Sequence, residues 1–201
     1  HKALNYWFTA KPVCLNWWYN QIGIPKTLGT VFILFEKQLT PVEKQNAITV
    51  MENAKFGMTG QNKVWLAGNV MMRALLQNDY ELVKMARDTI ASEIVTGGAE
   101  GIKDDWCFHQ HGAQQQFGNY GLSFVSGMSF FSGLFSGTSL AFDDKQLSIL
   151  STLIDKGYRW VIWKGMMDVN ALGRQLFHHA PVHKALSLAF AASELGGGES
   201  D

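Results

Sequence analysis

Apolar residues recur at helical spacing along most of the chain. Residues 63–77 are rich in Leu, Met, Ala and Val, which predicts a deeply buried helix. Residues 79–94 alternate apolar and charged positions, which predicts a half-exposed amphipathic helix that ends at Gly97 and Gly98. Strand-like alternation over more than five residues is hard to find. The pattern predicts an all-α domain of about six to eight helices, and it leaves open whether they form a bundle or a toroid of antiparallel hairpins.

Two predicted helices begin with a capping box. Thr40-Pro41-Val42-Glu43 combines a threonine cap with a proline at the first helical position, and it predicts a helix toward Asn53. Asp143 has a glutamine three residues later and begins another helix. One face of that helix carries Leu147, Leu150, Ile154, Tyr158 and Val161.

Residues 100–119 have no helical or strand periodicity and are packed with His, Gln, Gly and aromatic residues. A long irregular stretch inside a compact helical domain is usually a functional loop. We therefore expect functional side chains in this segment.

The composition limits the partners of the chain. Its 201 residues fit one domain, and we assign residues 1–195 to a helical domain and residues 196–201 to a flexible tail or linker. Lys and Arg total 17, as do Asp and Glu, so the formal charge is zero and a nucleic-acid partner is disfavoured. No stretch approaches the roughly 20 apolar residues of a membrane span, so we expect no membrane partner.

Four polar clusters lie at predicted helix ends or in loops. In a ring of helical hairpins, such ends converge on one rim or groove. The clusters are residues 16–20, 59–62, 105–120, and 173–175 with 178–179.

The adjacent residues Trp17 and Trp18 have two interpretations. They are either two core aromatics at a helix end or part of a platform on which sugar rings stack. Neighbours on a helix point about 100° apart, so both indoles cannot easily face one core. The flanking Asn16, Tyr19 and Asn20 favour the platform, because their polar groups can bind sugar hydroxyls.

Other chemistries have weaker support. Cys107, His109 and His111 suggest a metal site, but no second cysteine or acidic ligand follows at a usual interval, so we predict no metal and no cofactor. The histidines are then ordinary loop residues or acid–base partners of a tyrosine. Asp104 and Asp105 suggest the carboxylate pair of a glycosidase, but adjacent acids rarely face one another across a substrate.

Taken together, the four clusters resemble the catalytic α-domain of polysaccharide lyase family 8, which contains the chondroitin AC, hyaluronate and xanthan lyases. Residues 16–25 are similar to the family's N-W-W-x-x-x-I-G-x-P segment, and residues 59–62 to its T-G-x-N. Residues 105–111 match D-x-x-F-x-Q-H, and Tyr120 follows nine residues later. Residues 173–175 match the start of G-R-x-x-x-R. Each motif is weak alone, but four in family order form a specific signal.

The resemblance implies an incomplete α/α toroid that grips an acidic polysaccharide. It implies cleavage of a chondroitin- or hyaluronan-type glycosaminoglycan by β-elimination, which leaves a 4,5-unsaturated uronate end. By the same resemblance, Asn62 holds the uronate carboxylate, while His111 and Tyr120 act on the C5 proton and the glycosidic oxygen. Arg174 supports the tyrosine and the leaving group. The implied substrate-binding residues are Trp17, Trp18, Asn16 and His178.

The identity of the base stays open at this point. A free tyrosine has a pKa of about 10 and a free histidine one of about 6.5. Neutral His111 is thus the easier base at neutral pH, with Tyr120 as the acid. Alternatively, the charge of Arg174 favours the phenolate form, and Tyr120 serves first as the base and then as the acid.

The sequence departs from the family pattern in two ways. His178 stands where the family has its second arginine, which alters the leaving-group side of the site. Family members also continue into large β-sheet domains that close the cleft, so we expect this chain to be a fragment with those domains as partners. Substrates too large to enter a cell imply a secreted or periplasmic location.

Two other functions remain as alternatives. One is a non-catalytic carbohydrate-binding helical domain, a truncated or degenerate relative of the lyases. The other is a metal-dependent hydrolase at Cys107, His109 and His111.

Overall fold

Helices make up 65% of residues 1–195, which are the residues that the computed structural model describes. The two pairs of strands are only two residues long each, so the predicted all-α class is confirmed. The predicted tail over residues 196–201 lies outside the described residues. The α-helices are α1 (Lys2–Ala10), α2 (Ile24–Leu34), α3 (Pro41–Met51), α4 (Gly60–Gln77), α5 (Tyr80–Ala91), α6 (Leu122–Phe135), α7 (Asp144–Thr152) and α8 (Ala180–Leu195).

The chain divides into two compact units. The first unit contains His1–Met58 and Asn62–Ile90, and the second contains Thr59–Gln61 and the residues from Ala91 onward. Helix α4 therefore begins with two residues of the second unit and continues in the first.

The first unit has a core built by helices α1 to α4. Phe8 stacks on Phe32 with 5.9 Å between ring centroids, and Met51 and Leu76 are fully buried in the same cluster. A Cβ at Gly29 would lie 2.7 Å from Cε of Met51. The absence of a side chain at Gly29 therefore allows the Met51 side chain to pack against the α2 backbone. Complete burial of each large apolar side chain contributes roughly 1.5–3 kcal/mol to folding.

The second unit packs α6 against α8, with α7 beside α8. Its fully buried side chains include Phe108, Phe124 and Tyr158. Strand β1 (Gly101–Ile102) pairs antiparallel with β2 (Phe108–His109). Strand β3 (Ile162–Trp163) pairs antiparallel with β4 (Met166–Met167).

Both predicted capping boxes are confirmed. The Thr40 hydroxyl accepts from the Glu43 backbone N–H, while the Glu43 carboxylate accepts from the Thr40 N–H. Asp143 and Gln146 form the same reciprocal pair at the start of α7. Two other predicted helices shift at their ends, because α4 begins at Gly60 and not at Lys63, and α5 ends at Ala91.

The single helix predicted from Asp143 to Val161 is wrong. Helix α7 ends at Thr152, a π-turn follows over Leu153–Gly157, and a 3-10 turn covers Tyr158–Val161. A Cβ at Gly157 would collide with the backbone carbonyl oxygen of Trp106, so this glycine lets the two backbone segments meet. Apolar periodicity continues through the break, which is why it misled the prediction.

The irregular segment predicted over residues 100–119 is largely a loop. It contains β1, β2 and the start of a π-turn over Phe117–Gly121, which leads into α6. The prediction missed the short strand pair because two residues per strand give no readable alternation. Within residues 1–195, no helix is both long enough and apolar enough to cross a membrane.

Thr40→Ala removes the side-chain cap of α3 and leaves the Glu43 N–H without its acceptor. We expect the free energy of unfolding to fall by about 1 kcal/mol, measured by urea denaturation. Thr49→Ala on the exposed face of the same helix is the matched control and should change stability by less than about 0.5 kcal/mol. Equal losses in the two variants would contradict the capping role.

Candidate active site

The T-G-x-N motif lies at the start of α4, and its residues Gly60 and Gln61 donate to side chains of their own unit, the second. The Glu93 carboxylate accepts from the Gly60 N–H at 2.7 Å, and Oε1 of Gln110 accepts from the Gln61 N–H at 2.9 Å. Gly60 has φ +57°, and a Cβ there would collide with Oε1 of Gln110. Glycine is therefore favoured at this position, because it adopts the left-handed conformation readily and leaves the Gln110 side chain in place.

Glu100 joins this helix start to the histidine loop. Its carboxylate accepts from the Thr59 hydroxyl at 2.5 Å and from the Gly112 N–H at 2.9 Å. It also accepts from Nε2 of Gln110. Gly112 follows His111 directly. The half-buried Glu100 carboxylate therefore binds both Thr59, which precedes α4, and the backbone next to His111.

The ionised form of Glu100 is favoured by this network. Partial burial alone would raise the pKa of the carboxyl group. Hydrogen bonds from Thr59 and from the backbone of Gly112, together with the nearby His111, outweigh that effect and hold the pKa below its usual value. Glu100 is therefore a charged structural anchor.

The structure brings His111 and Tyr120 together. Their rings lie 5.0 Å apart between centroids at an interplanar angle of 85°. His111 is exposed and has φ +60°, a left-handed conformation that few residues without special support adopt. Tyr120 is half-buried on the Phe117–Gly121 turn. An imidazole and a phenol, both able to transfer protons, thus share one accessible location.

Buried contacts support the turn that carries Tyr120. The Tyr158 hydroxyl donates to the Phe117 carbonyl at 3.0 Å, and burial raises the pKa of Tyr158 well above its usual value. A Cβ at Gly118 would collide with the carbonyl oxygen of Ala171. The turn therefore packs closely against the segment that leads to Arg174.

Arg174 is exposed in a loop beside that turn. The preceding Gly173 has φ +69°, and a Cβ there would lie 3.4 Å from Cβ of Asn119. The backbone before Arg174 thus lies near the residue before Tyr120. His178 is also exposed, with its ring 4.3 Å from that of His179.

Asn62 belongs to the first unit and is 5% exposed. Its Oδ1 is buried and accepts no hydrogen bond from any residue in the described range 1–195. Buried amides without a partner are rare in native proteins, and a functional role is one explanation for them.

The first unit also presents the tryptophan pair. Trp17 is 41% exposed, and Trp18 is half-buried with its ring 5.5 Å from that of Trp65 in an edge-on contact. Neither indole lies in the core, so the interpretation as two core aromatics is wrong. Oδ1 of Asn16 accepts from the Trp18 N–H at 3.0 Å and fixes the turn.

An open groove of about 710 Å³ runs along the half-buried indole. Its lining includes Trp7, Trp18, Tyr19, Lys26, Thr27 and Thr30. The Lys26 ammonium lies 5.6 Å from the centroid of the Trp65 ring, and burial lowers the pKa of Lys26. The groove combines aromatic faces, hydroxyl groups and one cation, a set suited to an acidic sugar.

The metal and glycosidase alternatives gain no support. Among residues 1–195, no three His, Cys, Asp or Glu side chains are grouped so that they could hold a metal ion. Burial raises the pKa of the Cys107 thiol, which disfavours the thiolate that binds metals. The pKa of Asp105 is lowered, chiefly because the Cys107 N–H donates to it, so Asp105 is a poor general acid.

Sequence reasoning missed Glu93, Glu100 and Lys184, which hold the candidate residues in place. None of the three lies inside a motif quoted above. The one signal available was position, because Glu100 opens the irregular segment and Glu93 shortly precedes it.

Comparison with known proteins identifies relatives of the whole chain. The model of the polysaccharide lyase family 8 N-terminal α-helical domain matches residues 1–193. Chondroitinase-AC of Pedobacter heparinus is 31% identical over 178 residues, which are 86% of this chain and 25% of that protein. Xanthan lyase of Bacillus sp. strain GL1 is 28% identical over 167 residues, which are 80% of this chain and 18% of that protein. The chain thus spans a quarter or less of these relatives.

Solved structures give the same result for the fold. Paenibacillus xanthan lyase matches with a TM-score of 0.86 at 22% identity, over 100% of this chain and 20% of that one. Chondroitin AC lyase of Streptomyces coelicolor A3, solved with chondroitin sulphate, matches with a TM-score of 0.86 at 20% identity, over 100% of this chain and 30% of that one. These matches confirm the predicted α/α toroid class.

Glu100→Gln places an amide N–H2 where the carboxylate now accepts hydrogen bonds from donors. At pH 7 we expect the free energy of unfolding to fall by about 1–2 kcal/mol. Because the folded-state pKa of Glu100 lies below its unfolded value, its contribution is present above about pH 4.5 and is lost as the pH falls through the folded-state pKa. The stability difference between wild type and variant should therefore shrink as the pH falls below about 4.5.

Urea denaturation at a series of pH values measures this difference. Glu52→Gln, at an exposed position, is the matched control and should match wild type throughout. A Glu100→Gln loss that is the same at pH 3 and pH 7 would show that the carboxylate charge is not what holds the loop.

Proposed function

Because the chain belongs to polysaccharide lyase family 8, we propose that the full-length protein cleaves a uronic-acid-containing glycosaminoglycan of the chondroitin or hyaluronan type by β-elimination. The product would carry a 4,5-unsaturated uronate at its new end. The observation that carries the proposal is the His111–Tyr120 pair, an imidazole and a phenol 5.0 Å apart on a supported turn.

Acidification of the C5 hydrogen is the first requirement of this reaction. That hydrogen lies α to a carboxylate, and its removal adds negative charge to an anion. We assign carboxylate binding to Asn62, whose side-chain Nδ2–H2 group can donate to a carboxylate oxygen and which is only 5% exposed. A preorganised donor of this kind is typically worth about 3 kcal/mol of barrier.

Proton transfer is the second requirement. A base takes the C5 proton, the electrons of the C5–H bond form the C4=C5 double bond, and the C4–O bond breaks. The leaving glycosidic oxygen takes a proton from an acid. His111 and Tyr120 are the two groups to which we assign these roles, each worth roughly 10²–10⁴-fold in rate.

Two arrangements of the pair satisfy this balance of protons. In one, neutral His111 is the base and the Tyr120 hydroxyl is the acid. In the other, Tyr120 does both in turn, with Arg174 supporting its negative charge. The packing of Gly173 against Asn119 supports a role for Arg174 on this side of the site.

Substrate binding is assigned to Trp17, Trp18, Asn16 and His178. The exposed face of Trp17 and the groove beside Trp18 can stack on the apolar faces of sugar rings. Lys26 contributes a positive charge to that groove, which supports an acidic polysaccharide. We also propose a secreted or periplasmic location, because such polymers do not enter cells, and β-sheet domains of the full-length protein as partners.

Tyr120→Phe and His111→Ala should each lower kcat by about 10²–10⁴-fold, because each removes a proton-transfer group. The assay follows the near-ultraviolet absorbance of the unsaturated uronate formed from chondroitin and hyaluronan by the full-length protein. Tyr6→Phe, at an exposed position of the first unit, is the matched control and should keep wild-type turnover.

Absence of that absorbance with wild-type protein on chondroitin, hyaluronan and xanthan would refute the lyase proposal. Binding of these polymers without cleavage would instead indicate the non-catalytic carbohydrate-binding domain.

Trp17→Ala should weaken binding of a glycosaminoglycan oligosaccharide by roughly tenfold, because an aromatic contact worth about 1.5 kcal/mol is lost. Isothermal titration calorimetry measures the affinity. Trp160→Ala, which removes an exposed indole of the second unit, is the matched control and should bind as wild type does. The same affinity for Trp17→Ala and wild type would remove Trp17 from the binding site.

A further inference from the structure

Lys184 is a buried cation beneath the tyrosine turn. It lies in the first turns of α8 and is only 7% exposed. Its ammonium donates to the Gly118 carbonyl, to the Leu172 carbonyl at 3.0 Å, and to Oε1 of Gln175 at 2.9 Å. Three protons thus meet three acceptors, and burial lowers the pKa of Lys184. Within residues 1–195, no carboxylate pairs with it.

The three acceptors belong to two segments that carry candidate catalytic residues. Gly118 lies two residues before Tyr120 in the π-turn. Leu172 and Gln175 flank Gly173 and Arg174. One ammonium group therefore connects the turn of the phenol to the loop of the guanidinium, and the helix α8 backbone holds that ammonium.

The two segments also pack closely, but that packing supplies no hydrogen-bond donor to their buried carbonyls. A π-turn and an irregular loop share no ladder of backbone hydrogen bonds, and their buried carbonyls still need donors. The Tyr158 hydroxyl donates to the Phe117 carbonyl, and the Lys184 ammonium donates to the carbonyl of the next residue, Gly118. A Cβ at Gly118 would collide with the backbone of Ala171 and Leu172, so a residue with a side chain does not fit at this position.

We propose that Lys184 is a positioning residue for the elimination reaction, which sets the Tyr120 hydroxyl and the Arg174 guanidinium in a common geometry. This inference rests on the proposed function. Lys184 does not touch the reacting atoms in this role. It acts through the two segments it joins, and a misplacement of about 1 Å in such groups can lower a rate by about 10²-fold.

Lys184→Met keeps the length of the side chain and removes the three donors. In the full-length protein we expect kcat to fall about 10²-fold while KM stays within about twofold, because Tyr120 and Arg174 act on the transition state. Lys145→Met, at an exposed position of α7, is the matched control and should keep wild-type kinetics.

A second background separates positioning from simple destabilisation. With Arg174→Ala already present, Lys184→Met should cost about tenfold or less, because one of the two groups it positions is gone. A loss of active protein would lower activity by the same factor in both backgrounds. An equal factor, or a Lys184→Met variant with wild-type kcat, would overturn the proposal.

Hydrogen exchange tests the connection without any activity. Peptides covering residues 117–121 and 171–176 should both exchange faster in Lys184→Met than in Lys145→Met. Unchanged exchange in either segment would overturn the proposed connection. Inactive wild-type protein would refute the proposed function, whereas active wild type with an indifferent Lys184→Met variant would refute this inference alone.

Gln175→Leu keeps the test decisive if Lys184→Met fails to fold. It retains the lysine and removes one of its three acceptors, so we expect a smaller fall in kcat, about threefold, with faster exchange over residues 171–176. Wild-type kinetics and wild-type exchange in Gln175→Leu would count against the connection.

Discussion

The loop that carries His111 and Tyr120 satisfies its backbone groups partly through the β1–β2 pair and the Phe117–Gly121 π-turn and partly through side chains. Nearly all buried N–H and C=O groups in native proteins have partners, and each unsatisfied one costs about 1–3 kcal/mol. Here side chains supply several of these partners. Glu100 accepts from the backbone N–H that follows the histidine, and Gln110 accepts from the N–H of Gln61. Tyr158 and Lys184 donate to carbonyls of the tyrosine turn. The geometry of the loop therefore depends on these side chains as well as on its short regular elements.

That arrangement accounts for the strained backbone at the site. His111 adopts φ +60°, a conformation that costs a non-glycine residue roughly 1–3 kcal/mol. The following N–H, of Gly112, donates to Glu100 and helps to hold the conformation. In this conformation the imidazole lies beside Tyr120 at nearly a right angle. A relaxed backbone at this position would free the ring from that geometry.

Local features of the fold were predictable, and connections made over long sequence distances were not. The helices that follow Thr40 and Asp143 could be predicted because a capping box is complete within four residues. Tyr158 fitted a helical stripe equally well, yet it lies in a 3-10 turn because its hydroxyl bonds a carbonyl 41 residues away. The spacing of apolar residues indicates which residues are buried. It does not indicate which partners their polar atoms bind.

The same distinction applies to the candidate site. The motif residues His111 and Tyr120 are recognisable because their types and spacing match a family pattern. Lys184 and Glu100 carry no such mark, since a lysine in a helix or a glutamate beside a loop is ordinarily an exposed charge. Only the three-dimensional arrangement shows that Lys184 is buried among three acceptors 9 to 66 residues away. Supporting residues are therefore harder to find than reacting ones.

The state of the carboxylates near the loop separates the proposed elimination from hydrolysis. A glycosidase needs a carboxylic acid whose pKa is raised so that it can protonate the leaving group at neutral pH. Glu100 and Asp105 have the opposite property, because hydrogen bonds from backbone and side-chain donors lower their pKa values and keep them ionised. Their charges are committed to holding the loop. In the proposed elimination, proton transfer in this loop is therefore assigned to the imidazole of His111 and the phenol of Tyr120.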